Sequence, residues 1–506
     1  MAQHKPHNSQ NSNFAKGTGK GGSNKGGKSG KPYANHGKSK DTLDLDGGFM
    51  KRKVSGNKGS NGNNSKGGKP GNKPAGKGSH KNSAQGNGKT TNRNQGGKTQ
   101  GGRNQNAKKP IGAKAKPQVP SSYDFNTCPN RRNTNSMKWN VEEGELPMWV
   151  ADMDLMTAPA ITNAIVDRAA TGVYGYSDYD PNFKQTVCDW WQRRHHTTFN
   201  PEDVLFCNGV IPAIGSLIRT LTNPEDCVLV QPPVYNHFYN SIVDNGRIIE
   251  ESPLDYDGKY YFIDWEDLEE RLSAPEVTMM IVCNPHNPIG KAWSREDLAR
   301  IGELCDAHDV VVVSDEIHCD IMKPGVKHVP FASASDTCRD ISITCGSPSK
   351  AFNTAGLQSA YVICPNEQLR SAVQEGMKID DVAFPNTFAM DAIMTAYTKC
   401  DVWLDDLNKH IQSNKEEATH YIEQRFDEVV VVPSEATYLL WLDCMELATD
   451  ATELCEAIRQ ETGLILSPGS IFGTTAEPFL RMNVACSKAQ LQDALQRLDS
   501  FFNMYE

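Results

Sequence analysis

The sequence predicts an α/β layered domain with a large, mainly parallel sheet, followed by a smaller α+β domain and preceded by a disordered tail. Three observations carry this. Short β-branched apolar runs alternate with helical patterns over about residues 171–395, the pattern changes after a long helical stretch near 401–425, and composition breaks sharply near residue 120. Continuous apolar runs bounded by helices suit strands buried on both faces, joined by helical crossovers into a parallel sheet.

The first element is the tail. Residues 1–120 hold 25 of the 53 Lys and Arg residues and three acids, Asp41, Asp44 and Asp46, a net +22. The remainder carries 28 basic and 59 acidic residues, a net −31, so the overall −9 describes neither part. Stretches such as "KGTGKGGSNKGGKSGKP" have too little apolar surface to offset the entropy of ordering, so residues 1–120 are expected to be disordered. A block of +22 would bind phosphate backbones by counterion release, the basis for a weak nucleic-acid contact through the tail. Its aromatics are few for base stacking: Phe14, Tyr33 and Phe49. The alternative is a solvating tail. The first residues lack the apolar stretch of a secretory signal, and no run of about 18 apolar residues predicts a membrane span. All 14 cysteines lie beyond residue 120, scattered and without a Cys-x-x-Cys pair. They read as buried reduced thiols of a cytoplasmic protein, with no metal site expected.

The elements of the folded part follow in order. Residues 121–170 are expected to pack on the small domain. The large domain, 171–395, takes its strands from "VLFC" (204–207), "CVLVQ" (227–231), "TMMIVC" (278–283), "VVVVSD" (310–315), "ISITC" (341–345) and "AYVIC" (360–364). Helical patterns such as "SREDLARIGELCDAHD" (294–309) separate several of them. The small domain, 396–506, contains the long helical stretch, then "EVVVV" (428–432), "TYLLWL" (437–442), a helix near 450–462, "LRMNVA" (480–485) and a final helix from 487.

Ligands of open α/β sheets bind beyond the carboxyl ends of strands. Four stretches place polar residues there: "QPPVYNHF", "NPHNPIG", "SDEIH" and "SPSK". They collect Tyr235, Asn287, Asp315, His318 and Lys350 in one mouth. A charged lysine in so uncrowded a place is costly unless paired, neutralised or covalently modified. Pyridoxal phosphate supplies the reason, because its aldehyde condenses with a lysine amine. Asp315 can hold the ring nitrogen, Asn287 can donate to the phenolic oxygen, and Tyr235 can stack on the ring. His318 reads equally as a second phenolic partner and as a core hydrogen-bonding group. The phosphate cradle fits "CNGVIPAIGSLIRTL": Gly209 admits a close approach, and Val210 and Ile211 open a helix with free N–H groups. Ser347 and Ser349 add hydroxyls. Each residue alone has an ordinary structural reading; their joint occurrence at the strand ends outweighs it.

These motifs, with "MWVADMDLMTAPAITNAI", "GVYGY" and "FLRMNVA", resemble fold-type I pyridoxal-phosphate enzymes and, more narrowly, the PatB/MalY-type cystathionine β-lyases of the class I/II aminotransferase superfamily. The resemblance covers residues 121–506. It implies Lys350 as the Schiff-base lysine, Asp315 on the ring nitrogen, Asn287 on the phenolic oxygen, Tyr235 over the ring and Arg481 as the clamp on the substrate α-carboxylate. It implies a homodimer in which Tyr176 reaches the cofactor phosphate of the partner subunit. Many aminotransferases of the superfamily carry a phosphate-binding arginine eight residues after the lysine. Here that position is Gln358, which shifts the phosphate grip toward backbone N–H groups and hydroxyls. The expected reaction is β-elimination from cystathionine or other cysteine S-conjugates. An aminotransferase would share every residue through the carbanion step. A third reading is a non-catalytic protein tethered to nucleic acid, against which the intact Lys350, Asp315 and Arg481 speak.

Overall fold

The computed structural model describes residues 123–503. The tail expected over 1–120, and with it the nucleic-acid contact, lies outside the described residues. In chain order the first strands are β1 (Leu146–Pro147), β2 (Val204–Cys207), β3 (Cys227–Val230), β4 (Ile248–Glu251), β5 (Leu254–Tyr256), β6 (Tyr261–Ile263), β7 (Val277–Cys283) and β8 (Val311–Asp315). They are followed by β9 (Ser342–Gly346), β10 (Ala360–Ile363), β11 (Val430–Val431), β12 (Leu439–Asp443), β13 (Leu464–Ile465), β14 (Ser467–Pro468) and β15 (Phe479–Asn483).

Seven strands form the large sheet in the order β2-β10-β9-β8-β7-β3-β4. Only β10 runs against its neighbours; the ladders from β9 through β4 are parallel. The continuous apolar runs are explained by burial on both faces. Met279, Ile281 and Cys283 of β7 pack with the helix Val210–Leu221, whereas Met280 and Val282 pack on the opposite side with the helix Arg295–Ala307. That is the two-residue alternation of a pleated strand. The sheet also includes β4, whose "IIEE" is half polar and lies at the edge, and β5 pairs with β6 in a separate hairpin.

The second sheet, β11-β12-β15-β14, is antiparallel. Leu440, Leu442, Leu480 and Met482 turn to one face, against the helices Asp401–Arg425, Ala451–Thr462 and Lys488–Phe502. Trp441 turns to the other face, where it joins the core that includes Leu229 and Met280 of the large sheet. Arg481 lies directly opposite Trp441 in the β12–β15 ladder. Its side chain therefore leaves the small sheet on the face toward the large one. The run "EVVVV" enters the ladder only at Val430–Val431.

The segment before residue 171 makes two kinds of contact. Strand β1 pairs with β13, while Ile161 of the helix Pro159–Ala170 packs in the same core as Ala389 and Ile393 of the helix Ala389–Lys399. Between these contacts the chain is pinned by Asp154, 1 % exposed, which accepts from Lys138 at 2.8 Å, Arg131 at 2.9 Å, Trp139 Nε1 at 2.7 Å and Gln490 at 2.7 Å. Burial pushes the Asp154 carboxyl up, but the Lys138 charge and these hydrogen bonds bring it below the ordinary carboxylate range. A depressed carboxylate stabilises the fold above its unfolded pKa, and that contribution is lost as pH falls through the folded value. Removing one partner of a buried pair costs about 3–5 kcal/mol. With Arg131 still in place, Lys138→Met is expected to cost roughly 3 kcal/mol at neutral pH. Urea unfolding across pH checks this: the gap between variant and parent should narrow in acid as Asp154 protonates, and a gap independent of pH would contradict the pairing.

Candidate active site

The carboxyl ends of β2, β3, β7, β8 and β9 open into one cavity of about 270 Å³, whose lining includes Asn208, Gly209, Tyr235, Asn287, Asp315 and Lys350. Val210, Ile211, His318, Ser347 and Ser349 also line it. These sequence-expected residues meet here because each lies at, or a few residues beyond, the carboxyl end of a strand, and these strands run parallel. Arg481 does not itself line the cavity but backs its wall from β15, donating to Asn287 Oδ1 at 3.1 Å. Tyr176 does not line this cavity; its side chain is fully exposed.

Lys350 Nζ donates to the Ala151 carbonyl at 2.7 Å. Burial, and then the positive charge of Arg481, pull its pKa down to about 8. Asp315 is 3 % exposed and accepts from the Ile317 amide at 3.1 Å. Burial raises its pKa to about 7, and Lys350 acts in the opposite direction. A cation placed against Asp315 would hold it ionised. Burial, then the charges of Lys350 and Arg481, hold His318 well below the ordinary histidine range, so its ring is neutral.

The phosphate-cradle residues are arranged around a helix start. The helix Val210–Leu221 has no acid in its first turn and no side-chain cap on Gly209. The amides of a first turn have no partner within the helix, and here they border the cavity. A Cβ on Gly209 would sit 3.1 Å from Pro212 Cδ, so the backbone there tolerates little bulk. Ser347 Oγ donates to the Ser359 carbonyl at 2.8 Å and lies 2.8 Å from Ser349 Oγ. Gln358 is exposed at the rim in the left-handed region, φ 49°.

Arg481 is 6 % exposed and has no acidic partner among the described residues. Its remaining contacts are NH2 donating to the Trp149 carbonyl at 3.0 Å and the Phe472 ring 4.6 Å from the guanidinium carbon. Burial lowers its pKa to about 10. A buried cation supported by a carbonyl, an amide oxygen and an aromatic face is poised for an anion.

Four buried polar atoms around the site have no hydrogen-bond partner among the described residues: Asn208 Oδ1, His318 Nδ1, Ser359 Oγ and Arg481 Nε. Such atoms are costly unless something else satisfies them. With an amine, a carboxylate, an amide, an aromatic face and an anion cradle in one mouth, the residues present fit pyridoxal phosphate and a substrate carboxylate. Sequence reasoning did not single out Ala151, Asn208, Ser359, Trp149 or Phe472. Asn208 lies within the quoted cradle motif and Ser359 just beyond the lysine motif, and Ala151 and Trp149 contribute backbone carbonyls, which side-chain patterns do not reveal.

The sequence profile described as aminotransferase class I and II matches residues 146–498. The chain is 44 % identical to cystathionine beta-lyase PatB of Bacillus subtilis over 74 % of its own length and 98 % of that protein. It is 30 % identical to the protein MalY of Escherichia coli over 74 % of this chain and 98 % of the other. Among solved structures, cystalysin from Treponema denticola, which contains pyridoxal 5'-phosphate, aligns with TM-score 0.74 at 30 % identity, covering 76 % of this chain and 100 % of that one. The PLP-bound C-S lyase of Staphylococcus hominis aligns with TM-score 0.71 at 30 % identity, over 75 % of this chain and 98 % of that one. The chain belongs to the class I and II aminotransferase family and, within it, to the PatB/MalY-type cystathionine β-lyases.

Proposed function

We propose that this chain is a pyridoxal-phosphate-dependent carbon–sulfur lyase that converts cystathionine and related cysteine S-conjugates to a thiol, pyruvate and ammonia. The observation that carries the reading is the buried, acid-free Arg481 bonded to Asn287 in the mouth that holds Lys350 and Asp315. Kinship with proteins named cystathionine beta-lyase supports the choice of leaving group.

Each residue has a task. Lys350 is the amine that would hold the cofactor covalently. Asp315 would pair with the ring nitrogen, Asn287 would donate to the phenolic oxygen, Tyr235 would pack on the ring, and His318 would close the floor. Gly209, Val210, Ile211, Ser347 and Ser349 would take the phosphate. Arg481 clamps the substrate carboxylate and orients the Cα–H bond. When bound, the cofactor supplies an electron sink for the carbanion at Cα. A free Lys350 amine, its pKa brought down by burial, would take the Cα proton as general base. The thiolate would leave Cβ with the bonding pair and take up a proton, and one water would hydrolyse the remaining three-carbon enamine, through its imine, to pyruvate and ammonia. The test is turnover of cystathionine by the purified protein with no 2-oxoacid added. Release of homocysteine, pyruvate and ammonia is expected; amino transfer only when a 2-oxoacid is supplied would instead establish the aminotransferase.

Two finer readings belong with this one. The chain acts as a homodimer, with Tyr176 serving the partner's phosphate. Supporting it, Val173, Tyr174, Tyr176, Ile379 and Phe384 are exposed apolar residues, and Tyr174 packs near Phe388 while Tyr179 bonds the Ala383 carbonyl. Such a concentration of apolar surface suits an interface. Mixing a Lys350→Ala chain with a Tyr176→Phe chain should raise activity above the sum of the parents, because one site of each mixed dimer is intact. An active monomer at high dilution would refute the arrangement. The second reading is that the basic tail makes weak contacts with nucleic acid from a cytoplasmic enzyme. Deleting residues 1–120 should leave turnover unchanged and abolish binding to a DNA oligonucleotide at low salt. Binding that survives the deletion would assign it elsewhere.

A further inference from the structure

The turn that carries Asp315 and His318 continues into Cys319 and Asp320, both buried. Against them lies His195, the last residue of the helix Phe183–His195. His195 Nε2 is 2.9 Å from Asp320 Oδ1, and the candidate ligand atoms of His195, Cys319 and Asp320 all lie within 4.8 Å of one another. Trp190 Nε1 donates to the same carboxylate at 3.1 and 3.2 Å. All three residues line a cleft of about 400 Å³, as does His328. The His328 ring is buried and its Nε2 is 2.6 Å from Glu316 Oε2, but its Nδ1 has no partner among the described residues. Its centroid lies 5.3 Å from that of His195.

We propose that Cys319, His195 and Asp320 bind a divalent cation of the zinc class. A thiolate, an imidazole and a carboxylate are ligands that zinc takes in tetrahedral sites, whereas calcium and magnesium prefer oxygen alone. Bonds of about 2.1 Å in a tetrahedron set ligand atoms roughly 3.4 Å apart. The atoms here start between 2.9 and 4.8 Å, so small side-chain adjustments suffice. The charge also closes: a thiolate and a carboxylate against a dication leave no net charge in the interior. On binding, the Cys319 thiol releases its proton to solvent, and the His195 proton moves to Nδ1 so that Nε2 presents a lone pair. Trp190 remains on Asp320 as an outer partner that orients it. Water from the cleft supplies the fourth ligand. Because Cys319 and Asp320 share a turn with Asp315 and His318, the ion would stiffen the floor of the active site without touching substrate.

Cobalt(II) provides the test. One equivalent added to chelator-treated holoenzyme should produce tetrahedral ligand-field bands in the visible, beyond the cofactor's own absorption, and one equivalent of zinc should erase them. Zinc should also raise the melting temperature. Cys319→Ser and His195→Gln should each lose the bands, while the cofactor spectrum reports a folded active site. Should one variant fail to fold, the other carries the comparison, and cobalt with the parent protein needs neither. Absence of tetrahedral bands in the parent, or their persistence in either folded variant, overturns the site.

Discussion

Lys350→Ala is expected to lower turnover of cystathionine by at least roughly 10²–10⁴-fold, the range a positioned acid–base group contributes. That range is a floor, since the same side chain is also the proposed covalent anchor of the cofactor. Borohydride reduction and peptide mapping separate this role from a structural one. The parent should carry a pyridoxyl group on Lys350; the variant should carry none on a lysine, yet still bind the cofactor through the cradle at Gly209–Ile211. A small primary amine added to the variant should restore part of the rate, which repair of a merely misfolded protein would not do. A pyridoxyl group mapped to another lysine of the parent would overturn the assignment.

The site was largely legible because its side chains occupy positions with a strong one-dimensional signature. Asp315 and Asn287 follow apolar runs whose length and β-branching mark strands buried on both faces, and the carboxyl ends of such strands face one way. Arg481 was legible for a related reason: one guanidinium in an otherwise apolar strand needs an anion, and the pleat sends it to the face away from Leu480 and Met482. Less legible was whatever depends on backbone brought together over long separations. The Ala151 carbonyl meets Lys350 and the Tyr438 hydroxyl across about two and three hundred residues, and only its oxygen matters. Strands β1, β13 and β14 have two residues each, too short for a periodicity. The sequence also offered no reason to join His195 to Cys319 and Asp320, because a helix end and a turn more than a hundred residues apart meet only in the folded core.

Arg481→Lys is expected to reduce kcat/KM for cystathionine by roughly 10- to 150-fold, the equivalent of one charge-assisted hydrogen bond of about 1.5–3 kcal/mol. A carboxylate met by a planar guanidinium receives two parallel bonds, whereas an ammonium offers a point charge on a flexible stem. The loss should fall mainly on KM. It should also reach kcat, because the second bond fixes the direction of the Cα–H bond as well as the affinity. Charge is conserved in this substitution, which makes it informative. The Arg481 charge is among the causes that lower the Lys350 pKa, and a lysine at 481 keeps that field. The acidic limb of the pH–rate profile, which reports the general base, should therefore stay close to its parent position while KM rises. A substitution that merely loosened the β12–β15 ladder would let water into the mouth and move that limb upward, since relieving burial raises a lysine pKa. Arg481→Met supplies the contrast: it removes the charge, so KM rises and the limb moves upward together. An unchanged KM in Arg481→Lys would mean that the substrate carboxylate is held elsewhere.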